Sequence, residues 1–207
     1  MIRNIVFDMG NVLLRFDPDR FMDRVGLTEP SDREWMDREV FRSVEWAKTD
    51  RGSLTPDEAA RIMKPRVPEH LRPFVDRLVC GWADEILPMP GMADLIGELK
   101  AAGYRIYLLS NAGTNHGEYW TRIPGSDLFD GLVVSAEVGC IKPEREIYGI
   151  LIDRFSLVPE ECVFVDDLPL NVEAATRWGM RGIVFHEDAG ELLRKLKEIG
   201  VDLRGRA

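Results

Sequence analysis

Asp8 closes an apolar run, Ile5-Val6-Phe7, and leads directly into Met9-Gly10-Asn11. An aspartate has an ordinary pKa near 4, so at neutral pH it is an ionised oxygen nucleophile that needs no base to activate it. Its natural target is an electrophile such as phosphorus, which gives an aspartyl-phosphate. Three later segments carry groups that suit the same chemistry: Ser110-Asn111 after Leu108-Leu109, then Lys142-Pro143, then Asp166-Asp167 after Val163-Phe164-Val165. If Asp8, Asp166 and Asp167 converge, about three negative charges meet a phosphate carrying nearly two more, and Lys142 offsets only one of them. A divalent cation is then close to required, and an all-oxygen donor set selects Mg²⁺.

The elements that must position these groups are legible as apolar periodicity. Five short apolar runs, at 4–7, 105–109, 132–135, 162–165 and 182–185, predict buried strands. Helical stripes alternate with them. Met92, Leu95, Ile96 and Leu99 form one, stopped by Gly103. Ile147, Ile150, Leu151 and Phe155 form a second, with Pro143 expected in its first turn. Val172, Ala175 and Trp178 mark a third, and Leu192, Leu193, Leu196 and Ile199 a fourth. Strands alternating with single helices predict an α/β fold, a doubly wound, Rossmann-like parallel sheet of five strands. Carboxylates at strand ends then stand where such sheets bind ligands.

Residues 15–88 break the rhythm. Asp17-Pro18, Ser31-Asp32-Arg33-Glu34 and Thr55-Pro56-Asp57-Glu58 each read as a helix start, the latter two with capping-box spacing, and a further helical stretch follows from about Glu69 to Ile86, broken near Gly81. The expected organisation is a core domain of residues 1–14 and 89–207 with an all-helical cap domain, 15–88, inserted through hinges at 14–17 and 87–91.

Among 207 residues, 27 Lys and Arg against 36 Asp and Glu give a net charge of −9, which argues against nucleic acid or an anionic membrane as partner. Cys80, Cys140 and Cys162 are too far apart for a zinc site or a disulfide framework and read as buried free thiols. With a strand starting within the first few residues and no apolar stretch long enough to span a bilayer, a cytoplasmic monomer or weak homodimer is expected.

The order Phe7-Asp8-Met9-Gly10-Asn11-Val12-Leu13, Ser110-Asn111, Lys142-Pro143 and Asp166-Asp167 with Asn171 resembles the haloacid dehalogenase-like hydrolases, and among them the Asp-x-Gly-Asn-Val subgroup that includes bacterial α-glucose-1-phosphate phosphatases. The resemblance covers the whole chain. It implies a Mg²⁺-dependent phosphatase of a small phosphorylated metabolite, such as an aldose 1-phosphate. It also implies that Asp8, Asp167 and the Gly10 carbonyl hold the metal, with Asp166 beside them or orienting Lys142. Ser110 and the amide of Asn111 would bind phosphate oxygens, and Lys142 would neutralise charge growing in the transition state.

Gly10 departs from the broad family, whose members carry an aspartate there as general acid and base. Such help is worth about 10²–10⁴ in rate, and its loss favours a substrate with a good leaving group. His116, six residues after Ser110, is the local candidate to bind substrate and exchange a proton. Arg42, Glu45, Trp46 and Lys48 are the candidate specificity residues of the cap, although Trp35, Phe41 and Trp46 suit its core equally well. Trp120 with Tyr119 is a candidate pocket floor. The competing readings are a 2-haloacid dehalogenase, which needs no metal, and a catalytically weak protein that binds phosphorylated ligands.

Overall fold

The computed structural model describes residues 1–204. Five strands, β1 (Asn4–Phe7), β2 (Arg105–Ser110), β3 (Gly131–Val134), β4 (Cys162–Asp166) and β5 (Arg181–Val184), pair in parallel in the order β3-β2-β1-β4-β5. Alternation along each strand sends side chains to opposite faces. Ile5, Phe7, Ile106, Leu108, Val163 and Val165 therefore join one apolar cluster, beneath helices Met92–Ala101 and Ala189–Glu198. Val6, Tyr107, Leu109, Cys162 and Phe164 join the other, beneath helices Arg145–Phe155 and Pro169–Thr176. With apolar residues on both faces and helices on each, the sheet is the predicted doubly wound one. The chain moves outward from β1 through β2 to β3 and returns to β4 on the other side. Asp8 and Asp166 thus stand at the point where the strand order reverses, where open α/β sheets form their crevice.

Several expected boundaries move, for local reasons. β3 and β5 each lie one residue earlier than expected, at Gly131–Val134 and Arg181–Val184, and a glycine in each admits a helix at close range. A Cβ on Gly131 would lie 2.3 Å from the Phe155 ring, and one on Gly182 would lie 2.4 Å from Val172. Pro143 is not in the second helix, which starts at Arg145. It lies in a turn closed by the Glu144 N–H on the Ile141 carbonyl, because Asn111 pins the Lys142 backbone. Trp178 falls beyond Thr176, the end of its helix, and its Nε1 donates instead to the Arg145 carbonyl. The helix around Ser31 is capped at Glu29, since Pro30 already occupies the first turn, so Ser31 is interior and forms no capping box. Cys140 and Cys162 are buried free thiols as expected, whereas Cys80 is half-buried. Among the described residues no helix is long and apolar enough to cross a membrane.

Between β1 and helix Met92–Ala101 the described chain is helical, with helices Pro18–Val25, Pro30–Met36, Val44–Asp50, Pro56–Met63 and Arg72–Val79 among short single turns. Asp17 caps the first, and Thr55 with Glu58 closes a full capping box on the fourth. This block buries its own cluster, including Phe21, Met36, Met63, Leu71 and Leu78. Its residues 50–52 are tied to the sheet. Ser135 Oγ donates to the Asp50 carbonyl, Arg51 pairs with Glu144 and reaches the Gly139 carbonyl, and Gly52 sits against Ala136. Gly52 has φ +76°, and a Cβ there would lie 2.2 Å from the Ala136 oxygen. Gly52→Ala is therefore expected to destabilise the fold by about 1–3 kcal/mol, read as a lowered denaturant midpoint.

Candidate active site

Asp8 is fixed at the end of β1 by its own N–H, which donates to the Val165 carbonyl at 2.9 Å. The next turn is tight: the Met9 carbonyl accepts from Leu13 N and Leu14 N at 2.8 and 3.1 Å. Asn11 adopts φ +53°, a left-handed conformation that asparagine tolerates. Its side chain clamps two loops together, with Oδ1 accepting from Phe16 N at 3.0 Å and Nδ2 donating to Asp167 Oδ2 at 3.1 Å. A Cβ at Gly10 would meet nothing within 4 Å, so sterics do not exclude a side chain there.

Lys142 comes from the distant loop that Asn111 organises. Asn111 Oδ1 accepts from Lys142 N at 2.8 Å, and Asn111 Nδ2 donates to the Lys142 carbonyl at 3.0 Å. The Lys142 side chain is 1% exposed, and its Nζ lies 2.7 Å from both Asp8 Oδ1 and Asp166 Oδ2. Asp166 is fully buried and also accepts from Leu168 N and Asn171 Nδ2, at 2.8 and 3.0 Å. With these donors in place, Asp166 orients Lys142. Asp8, Asp166 and Asp167 each present an oxygen within 4.8 Å of the others, a donor set that suits a hard divalent cation.

The electrostatics agree with that reading. Burial pushes Asp8 up to about 7, while Lys142 pulls it down and Asp166 adds to the rise. Burial works to lower the Lys142 ammonium, yet Asp8 and Asp166 together outweigh it and hold the group above its ordinary value. Burial also raises Asp167, against the hydrogen bond from Asn11. A divalent cation beside Asp8 and Asp167 would favour their charged forms.

Ser110 ends β2 at 1% exposure, and its Oγ has no partner among the described residues. A buried hydroxyl left unpaired is unusual and suits a group that receives a ligand. A cavity of about 300 Å³ opens above these residues. Asp8, Gly10, Asn111, Lys142 and Asp167 line it from the sheet side, and Trp46, Thr49, Asp50 and Trp82 from the helical block, while Ser110 and Asp166 are not among its lining residues.

The structure does not bring every expected residue here. His116 is outside the lining: its Nδ1 faces the Gly113 carbonyl at 3.2 Å and its Nε2 faces Glu137 at 3.2 Å. Arg42 pairs with Asp37, Glu45 is buried against Arg66, and Lys48 is exposed, so Trp46 is the member of that group in the lining. Tyr119 lines the cavity, whereas Trp120 packs on Phe129 with ring centroids 5.1 Å apart. Sequence reasoning gave Asn11 no role beyond its place in the first motif, and missed Thr49 and Asp50. Trp46, Thr49 and Asp50 fall at i, i+3 and i+4 of one helix, a shared face that marks them as a set.

A family model described as haloacid dehalogenase-like hydrolase matches residues 2–179. A sesquiterpene phosphatase of Aspergillus oryzae is 28% identical over 184 residues, spanning 86% of this chain and 87% of that protein. A D-ribitol-5-phosphate phosphatase of Bacteroides thetaiotaomicron is 26% identical over 197 residues, spanning 86% and 89%. Some relatives are longer: one match spans 96% of this chain but 37% of the other protein. A solved family enzyme from Bacteroides thetaiotaomicron, in complex with magnesium and inorganic phosphate, shares the fold at a TM-score of 0.71 and 21% identity, over 94% of this chain and 100% of that one.

Proposed function

We propose, for a chain that belongs to the haloacid dehalogenase-like hydrolases, that the reaction is Mg²⁺-dependent hydrolysis of a small phosphorylated metabolite with Asp8 as the nucleophile. The observation that carries this reading is Lys142 Nζ at 2.7 Å from both Asp8 and Asp166, with Asp167 completing an oxygen cluster within 4.8 Å. One Asp8 oxygen attacks phosphorus, the bond to the leaving oxygen breaks, and water then splits the aspartyl-phosphate to release inorganic phosphate. Lys142 is oriented by Asp166 to meet the charge that grows on the phosphoryl oxygens. Ser110 Oγ, unpartnered at the strand end, and the Asn111 amide are the assigned phosphate donors. Asp8, Asp167 and the Gly10 carbonyl are the assigned magnesium ligands, and the ion offsets repulsion between the acids and the phosphate.

Residues 15–88 serve as the cap that closes over the phosphate end and sets specificity. An aldose or polyol phosphate is the substrate class we assign. The activity of the ribitol-phosphate relative supports it, as do Thr49 and Asn115 among the lining residues.

The test is release of phosphate from p-nitrophenyl phosphate and from a panel of sugar phosphates. EDTA is expected to abolish turnover and added Mg²⁺ to restore it. Release of chloride from 2-chloropropionate, unaffected by EDTA, would move the assignment to a dehalogenase. Binding across the panel with no turnover would reduce the protein to a sensor.

A further inference from the structure

The position two residues beyond Asp8 is Gly10, which carries no acid. We propose that Asp50, contributed by the helical block, is the general acid and base of this site, an inference that rests on the phosphatase reading above.

Three observations carry it. Asp50 ends helix Val44–Asp50 and lines the cavity together with Asp8, Lys142 and Asp167. Its carboxyl group makes no hydrogen bond or ion pair with any described residue. The other two acids in the lining are engaged, Asp8 by Lys142 and Asp167 by Asn11. Finally, its backbone is held in place. Ser135 Oγ donates to the Asp50 carbonyl, Arg51 pairs with Glu144, and Gly52 packs on Ala136. An unpaired carboxyl in the nucleophile's own cavity, on a segment fastened to the sheet loops, has no structural bond to explain it.

The groups that face it are Asp8 and Lys142 from the sheet loops and Tyr119 from the turn after β2. Burial, reinforced by Asp8 and opposed by Lys142, pushes Asp50 up to about 7. An acid in that range holds and releases a proton near neutral pH, as efficient proton transfer requires.

The proton inventory closes over two steps. As the Asp8 oxygen bonds to phosphorus, the leaving oxygen departs with the bonding pair and takes the Asp50 proton, so the product is a neutral alcohol. In the second step the Asp50 carboxylate takes a proton from water while the water oxygen attacks phosphorus. The bond from phosphorus to Asp8 breaks, inorganic phosphate leaves, and Asp50 is again protonated. Activity need not then be confined to esters with good leaving groups.

The experiment compares two esters in the Mg²⁺-loaded enzyme. Glycerol phosphate leaves as an alkoxide unless protonated, whereas p-nitrophenyl phosphate leaves as a stable phenolate. Asp50→Asn is expected to lower kcat/KM for glycerol phosphate by about 10²–10⁴ and for p-nitrophenyl phosphate by less than about tenfold. On the aryl ester kcat and KM should fall together, because water attack becomes slow and phosphoenzyme accumulates. Inhibition by inorganic phosphate within about threefold of the parent certifies that the site is formed, and Asp50→Ser repeats the comparison with a smaller side chain. Equal losses on the two esters, or none on glycerol phosphate, would overturn the assignment. A parent enzyme inactive on both esters would instead remove the phosphatase reading, and Asp50's role with it.

Discussion

Asp8→Asn is expected to reduce phosphate release by about 10⁴-fold or more while the protein stays folded. The amide has no anionic oxygen to attack phosphorus, and it also takes one negative charge from the cation's donor set. Its shape is unchanged, so Lys142 keeps Asp166 at 2.7 Å, and the Asp8 N–H bond to Val165 belongs to the backbone. The pH dependence of stability supplies a second readout. In the folded chain Asp8 lies at about 7, above its ordinary 3.8, chiefly through burial. A carboxyl with a raised folded-state pKa contributes stability that is fully present below the unfolded value and is lost as pH rises through the folded one. Asparagine undergoes no such loss. In EDTA, the unfolding free energy of the variant relative to the parent should therefore grow between about pH 4 and 7, by a few kcal/mol at most. Chemical denaturation across that range checks the sign, and p-nitrophenyl phosphate turnover checks the chemistry. A variant with near-parental turnover would remove Asp8 from the mechanism.

Apart from Lys142, which the family resemblance supplied, the parts of this site that the sequence disclosed stand at or next to the ends of single strands. Asp8, Ser110 and Asp166 each end an apolar run, and a parallel sheet delivers strand ends to one edge. The parts it concealed arise from contacts between segments far apart in the chain. His116 is close to Ser110 in sequence, yet its ring is engaged by Gly113 and Glu137 and is not in the cavity lining. Pro143 suits the first turn of a helix, but the paired bonds between Asn111 and Lys142 set the local backbone and the helix starts at Arg145. Arg42 and Glu45 carry the charges that invited a binding role, and intrahelical-block partners absorb both. Asp50 is the instructive case. As one acid among many on a helix it carries no local signal. Its placement depends on Ser135 and Glu144, which lie 85 residues from Asp50 and 93 from Arg51. Periodicity identifies the helix face, and docking alone decides what that face meets.

Lys142→Ala is expected to damage stability and catalysis together, and the two effects have one cause. The ammonium is fully buried between Asp8 and Asp166, and Asp166 is itself fully buried. Removing it leaves two carboxylates facing each other without a counter-charge, a change that costs about 3–5 kcal/mol when one partner of a buried pair is deleted. Loss of the charge that meets the phosphoryl oxygens is expected to lower kcat by about 10²–10³. Lys142→Arg should not rescue either property, because a planar guanidinium does not fit a pocket shaped for a point charge contacting two oxygens. The surviving counter-charge is then the divalent ion. Mg²⁺ stabilises the folded state by mass action in the parent protein, and with the ammonium gone it also relieves the repulsion between Asp8 and Asp166. The rise in Tm on adding Mg²⁺ should therefore be larger in Lys142→Ala than in the parent, and Asp167→Asn should shrink it in both. If the rise were the same with and without Lys142, ion and ammonium would not be sharing Asp8, and the convergence of charges on that carboxylate would lose its support.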